Sequence, residues 1–437
     1  MSLQHTQLAS PSRVQQWLMR NDGLVFILFS ATAAFITYCS MYAFRKPFTA
    51  ATFEGLTLWG MDYKIVLIIA QAIGYTLSKF MGIKLVSELT ASRRVKILIL
   101  LMGFAWLTLF LFAITPYPYN FVWLFFNGLP LGMIWGVVFS FLEGRRFTEL
   151  LGAAMASSFI VSSGFVKAGG KTLIDNYGVG DFWMPFLTGL LFVPLLLLGI
   201  WMLQQIPPPN AEDEQQRTRR VPMTSAQRRA FFLTFAPGII LSVLIYIGLT
   251  IFRDIRDNFA VELWAALGYA DAPEILVLSE IPVAIAVLII IGSMVFIRNN
   301  KVAFFANQVA ILSGGLIVLV MTFLFVQKAV DPALWMIVMG FGMYLPYIGF
   351  HTLLFERWIA LFRYQSNIGY LMYISDAFGY LGSMAILLYK NFGAQQISWL
   401  NFFITTAIVM GSVTVLLSGL AIGYFWRKER GVVSEQP

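Results

Sequence analysis

Uninterrupted apolar stretches, each about as long as a membrane-spanning helix, recur along the whole chain, and this constrains the fold more than any other feature. Val283 to Ile297 and Phe186 to Ile200 are two of the purest. A soluble core could not bury them all. Of 437 residues, 59% are hydrophobic and 12% charged, with mean hydropathy +0.76, against roughly half and a quarter in ordinary soluble domains. The remaining solvent for so much apolar surface is lipid. Lipid satisfies no backbone hydrogen bond, so only helices or a closed barrel can cross it. Barrel strands alternate apolar and polar residues; these runs do not alternate. The sequence therefore predicts an all-α membrane protein.

Hydropathy places twelve transmembrane helices at 23–46, 62–86, 95–115, 119–142, 150–173, 182–204, 230–252, 274–298, 301–326, 333–355, 365–390 and 400–426. The first, at about 24 residues, is too long for a signal-peptide core and is expected to stay as helix 1. The only long polar linker runs from Gln205 to Arg229 and contains Pro207-Pro208-Pro209. It divides the chain into a tail (1–22), a six-helix half (23–204), the linker (205–229), a second six-helix half (230–426) and a closing tail (427–437).

Basic residues orient this plan. Clusters such as Arg93-Arg94, Arg145-Arg146, Arg217-Arg219-Arg220, Arg357-Arg363 and Arg427-Lys428 share one side with both termini. Lys and Arg accumulate on the cytoplasmic side, so both termini are expected in the cytoplasm, in a bacterial cytoplasmic membrane. The net charge of +8 is thus a topology signal, and no nucleic-acid partner is expected. Ten basic residues do not fit the rule: Arg45, Lys46, Lys64, Lys79, Lys167, Lys171, Arg253, Arg256, Lys328 and Lys390. Several lie within or at the edge of a span, where each costs about 2.5–3.5 kcal/mol at mid-membrane unless compensated.

An internal repeat supports the division into pseudo-symmetric halves. Gly136 and Glu143 recur as Gly349 and Glu356, and Phe165 and Gly169 as Phe378 and Gly382, all at an offset of 213; Arg45-Lys46-Pro47-Phe48 faces Arg256-Asp257-Asn258-Phe259 at 211. Duplicated six-helix units build one large transporter class, with the substrate near the midplane between halves. Gly128, Gly132 and Gly136 form a small-residue stripe suited to close helix packing.

Other chemistries find little support. Cys39 is the sole cysteine, so neither a disulfide framework nor a Cys/His metal site can be assembled, and no cofactor is implied. Gly164 to Thr172 resembles a phosphate-binding loop, but its first glycine is one position early and no strand precedes it. No nucleophile elbow or paired-carboxylate arrangement stands out, and the chain is read as a non-enzyme and a monomer. His5 lies in the polar tail; His351 sits among apolar residues, where a hydrogen-bonded packing role competes with a proton relay.

Two stretches carry a family resemblance. Tyr38, Tyr42, Arg45, Lys46 and Phe48 close span 1, and span 2 contains Gly74-Tyr75, then Ser78-Lys79-Phe80 and Met81-Gly82-Ile83. This resembles the organophosphate:phosphate antiporter family of the major facilitator superfamily, which includes carriers of glycerol phosphate and hexose phosphates. The resemblance implies the major facilitator fold, exchange of a phosphate ester for inorganic phosphate, and an anion site formed by Arg45, Lys79, Tyr38, Tyr42 and Tyr75. The family's second arginine comes from span 7, so Arg253 or Arg256 would serve, and the repeat offset favours Arg256. The family's span 5 histidine is absent, with Ser162 in its region; the loop between spans 2 and 3 is degenerate, Gly82 to Arg94 with Glu88 displaced; and Lys167, Glu280 and Asp376 have no family counterpart.

The residue types suit the task. A phosphate leaves water only if cationic donors replace its hydration, and the planar fork of Arg matches its oxygens. Competing structural readings are that Arg45 and Lys46 merely flank a span, that Lys79 snorkels to the surface, and that the tyrosines only pack. In this superfamily span 5 faces span 8 and span 2 faces span 11. Counting depth at 1.5 Å per residue then predicts a Lys167–Glu280 pair closing the outer side and a looser Lys79–Asp376 pair inside. Halves rocking about a bound anion would give alternating access. Two rival classes are a proton-coupled carrier of another anion that titrates Asp376, and a non-transporting anion sensor on the same fold.

Overall fold

A computed structural model of the chain describes residues 11–87, 89–142, 145, 148–210, 213, 225–362 and 368–434. Glu88, Glu143, Arg146, Arg217, Arg219, Arg220 and Arg363 lie outside the described residues. A short helix, α1 (Arg13–Arg20), opens the described chain; Ser12 and Gln15 close its first turn as a capping box. The Ser12 hydroxyl donates to Gln205 at 2.5 Å, which ties the tail to the end of the first half.

That half contains α2 (Leu24–Tyr42), α3 (Tyr63–Ser87), α4 (Arg94–Ile114), α5 (Phe121–Leu142), α6 (Thr148–Tyr177) and α7 (Met184–Gln205). The second half contains α8 (Ser225–Asn258), two short helices α9 (Ala260–Ala266) and α10 (Ile275–Leu278), then α11 (Glu280–Val295), α12 (Asn300–Val326) and α13 (Pro332–Gly349). A π turn (Phe350–Leu354) leads to α14 (Phe355–Phe362), and α15 (Ile368–Phe392) and α16 (Trp399–Ser434) complete the chain. Ten membrane-length helical segments meet the apolarity needed to cross a bilayer; α3 and α15, of 25 residues each, are not among these ten. The chain is an integral, multi-pass membrane protein.

Helix 1 ends earlier than hydropathy implies. The regular helix stops at Tyr42, and Arg45 and Lys46 continue as a turn with their N–H groups on Tyr42 O at 3.0 and 2.8 Å. A 3₁₀ turn (Pro47–Ala50) and a two-stranded hairpin follow, with Thr57 opposite Asp62 and Leu58 opposite Met61. Trp59 and Gly60 both take positive φ there, 54° and 72°, as the tightest hairpin loops require.

Burial separates lining from lipid-facing helices. In their most apolar windows only 33% of α4, α12 and α16 is buried, against 78% of α6 and 72% of the segment from α13 to α14. The former carry exposed Leu100, Phe104, Val320, Phe323 and Leu416, the surface a bilayer would cover. Within the first half α3 and α5 touch backbone to backbone: a Cβ at Gly74 would lie 2.0 Å from Phe125 O, and one at Gly128 2.3 Å from Gln71 O. The stripe expected on α5 is thus half of a two-sided glycine contact. Across the halves α6 packs on α10 and α11, and α3 on α15, the expected pairings of spans 5 with 8 and 2 with 11. Gly164 permits the first, since a Cβ there would meet Leu276 O at 2.1 Å.

Candidate functional site

Charged side chains between the halves form two layers. The helix ends that bear the termini define a proximal end of the bundle, and the hairpin lies at the opposite, distal end.

The central layer is built around Arg45. The turn carrying it is clamped from behind: Gln71 donates to Arg45 O at 2.7 Å and to Asn127 at 2.8 Å, and Asn127 donates to Phe44 O at 3.0 Å. Both side chains are buried, so the turn cannot shift without breaking several hydrogen bonds in a dry environment. The guanidinium lies 4.0 Å from the ring centre of Tyr75 and 5.9 Å from that of Tyr42, an environment that favours a cation. Tyr38 packs edge-on to Tyr42 at 5.9 Å, and Tyr75 to Tyr380 at 5.1 Å. Among the described residues no carboxylate forms a salt bridge with Arg45, and its buried Nε has no hydrogen-bond partner.

The other central cations are matched. Lys79 lies 3.2 Å from Asp376, the looser pair expected between spans 2 and 11, so its amine does not snorkel to the surface. Asp376 also accepts from the Tyr246 hydroxyl at 2.6 Å, and that hydroxyl is 3.2 Å from His351 Nε2. Arg253 donates to the Tyr347 hydroxyl, lies over that ring at 4.5 Å, and binds Asp254 through Nε at 3.0 Å. Asp254 accepts in addition from Ser383 at 2.6 Å. Three cations thus face two carboxylates, and the surplus positive charge sits on Arg45.

In the distal layer four cations, Lys46, Lys64, Lys167 and Arg256, each have a carboxylate. Lys46 lies 2.7 Å from Asp257 and 2.7 Å from Asn258. Lys167 binds the other Asp257 oxygen at 2.7 Å, and Ser163 donates to the same atom. Arg256 binds Glu280 at 2.6 Å, and Lys64 pairs with Glu262. Asp257 therefore joins two lysines of the first half to the second.

Three expectations are corrected by this arrangement. Lys167 and Glu280 line the same recess, so their depths match, but they do not form the expected pair. Asp257 and Arg256 on α8 stand closer and take one each. Lys46 belongs to the distal layer, on Asp257 and Asn258, and does not join the group around Arg45. Of the two span 7 arginines, Arg253 faces the central layer; Arg256, favoured by the repeat, lies about 4.5 Å further along the axis at 1.5 Å per residue and belongs to the distal one. Arg45, Lys79, Tyr38, Tyr42 and Tyr75 are brought together as a group. Sequence reasoning missed Tyr246, Asp254, Tyr347 and Tyr380, since single tyrosines and an Arg-Asp neighbour pair carry no spacing signal. Ser162 is fully buried, and the glycine-rich stretch from Gly164 lies inside α6.

Residues 47–428 match the model of a family of unknown function, DUF5690. The chain belongs to this family. No curated protein matches its sequence. Among solved structures it is similar to a D-xylose–proton symporter, with a TM-score of 0.60 at 14% identity over 91% of this chain and 96% of that one. It is similar also to a mutant of the nucleoside transporter NupG, with a TM-score of 0.58 at 12% identity over 91% and 99%. Near-complete coverage of both chains at such low identity gives the DUF5690 protein its architecture, the major facilitator fold.

Proposed function

We propose that the protein is a secondary transporter that moves a small organic anion, preferably a phosphate ester exchanged for inorganic phosphate, across a bacterial cytoplasmic membrane by alternating access of its two halves. The observation that carries this reading is Arg45: a buried guanidinium, clamped by its own backbone and enclosed by tyrosines, with no carboxylate among the described residues. A buried cation without a counter-charge costs several kcal/mol, and an anionic ligand removes that cost. Arg253 of the opposite half would contact the anion by exchanging part of its bond to Asp254, drawing the halves together around the ligand. The solved proteins that share the fold are carriers of D-xylose and nucleosides, in keeping with a transport role. The resemblance of Arg45, Lys79 and the tyrosines to the organophosphate:phosphate antiporters adds the preference for phosphate.

Counterflow tests it. Proteoliposomes loaded with phosphate should take up labelled phosphate and phosphate esters against excess internal anion, without a pH gradient. Binding of these anions with no counterflow would move the protein to the sensor class. A second reading rests on Asp376, whose contacts with Lys79 and Tyr246 place a protonatable carboxylate in the central layer. If uptake requires a pH gradient and is lost in Asp376→Asn, the protein is a proton-coupled carrier.

A further inference from the structure

We infer that the transported anion carries a flat, unsaturated ring that packs edge-to-face against Trp135, Phe159 and His351. This rests on the anion reading and extends it to the organic part of the substrate. Proximal to Arg45, past Tyr42 and Tyr38, the space between the halves is lined by rings. Tyr38 contacts Trp135 at 5.3 Å and Phe159 at 5.4 Å. From the other half His351 approaches Phe159 at 5.6 Å and Trp135 at 6.4 Å. The Arg45 guanidinium lies 5.9 Å from the Tyr42 ring, and Tyr42 lies 5.9 Å from Tyr38, so an anion with its charge on the guanidinium reaches the rings with its body.

Three features point to a ring as occupant. First, Trp135, Phe159 and His351 remain partly exposed although they lie between the halves, whereas Tyr38 and Tyr246 behind them are buried. Part of each ring is therefore left uncovered by its neighbours. Second, they incline to one another at 38° for Trp135 and Phe159 and 71° for Phe159 and His351. Another ring joins such a set edge-to-face, gaining a quadrupole attraction that an aliphatic group of equal size lacks. Third, among the described residues His351 Nδ1 is buried without a partner and the Trp135 indole N–H makes no hydrogen bond, leaving polar atoms for a substituent on the ring's edge.

The position of His351 is itself built. It lies in the π turn Phe350–Leu354, a local widening frequent at functional sites. The repeat-related residues 137–141 are ordinary α-helix, with buried Val138 in the equivalent place. Only the second half departs from the helix, and the departure supplies a ring.

Calorimetry on the purified full-length protein in nanodiscs tests this with phenyl phosphate against cyclohexyl phosphate, and benzoate against cyclohexanecarboxylate. The unsaturated member of each pair should bind about three- to tenfold tighter. Phe159→Leu should abolish that ratio and leave inorganic phosphate binding unchanged; Trp135→Leu serves if that variant does not fold. Equal affinities within both pairs, or a ratio that survives both substitutions, overturns the inference. If no anion binds but benzyl alcohol still exceeds cyclohexylmethanol, the anion reading fails while the ring site stands. If no probe of either kind binds, both fail.

Discussion

The central and distal layers use the same side chains to opposite effect. In the distal layer Lys46, Lys64, Lys167 and Arg256 each meet a carboxylate, and Asp257 alone takes Lys46 at 2.7 Å and Lys167 at 2.7 Å. In the central layer Lys79 and Arg253 are matched, whereas Arg45 faces rings. On the proposed function, matched pairs between halves would act as a latch, since separating them exposes buried charge, and the unmatched Arg45 would make the central layer depend on a ligand. The difference lies in the placement of carboxylates, not in the number of cations.

The largest way to break the comparison is Asp257→Asn, which strips two buried lysines of their partner at a cost of about 3–5 kcal/mol. The variant should melt earlier. A cysteine replacing Ser163, in a Cys39→Ser background, should become more reactive to a thiol reagent applied from the distal side. Unchanged melting and labelling would show that the distal pairs do not hold the halves together.

Arg45→Lys keeps the central charge but loses the planar fork. Loss of charge-assisted hydrogen bonds worth about 1.5–3 kcal/mol should weaken anion binding about 10- to 100-fold, with normal insertion and a melting temperature close to the parent's. Wild-type affinity in this variant would remove Arg45 from the site.

Lys79 and Asp376 form the looser pair, at 3.2 Å and with 17% and 13% of their side chains exposed. Lys79→Ala or Asp376→Asn alone should cost about 1–2 kcal/mol in thermal stability, and the double variant less than the sum. Strict additivity would mean that the two do not interact. The smallest effect belongs to Lys171–Asp175, an i,i+4 pair at 3.0 Å with Asp175 37% exposed. Asp175→Asn should change stability by no more than about 0.5 kcal/mol.

Most of the fold was legible because hydropathy is a one-dimensional signal: a run long enough to cross lipid must do so wherever its neighbours lie. The helical, multi-pass character of the chain followed from it, and the glycines of α5 could be read as a packing stripe. Arg45, Lys79, Tyr38, Tyr42 and Tyr75 were legible as a group because they lie close together in two adjacent spans. Lys79–Asp376 was legible once the superfamily's helix neighbours were assumed.

What the sequence by itself determined, then, is which residues lie in the membrane and roughly how deep. Which charge meets which was decided only by tertiary structure. Lys167 and Glu280 were correctly placed at one depth, but a third helix, α8, offered Asp257 and Arg256 at shorter range. Arg253 and Arg256 differ by three residues, less than one helical turn, yet that offset assigns them to different layers. The π turn at Phe350–Leu354 moves His351 off the register its repeat partner keeps. Coulomb energy varies inversely with distance, so a few ångströms, invisible in hydropathy, determine whether a buried cation is latched or left for a ligand.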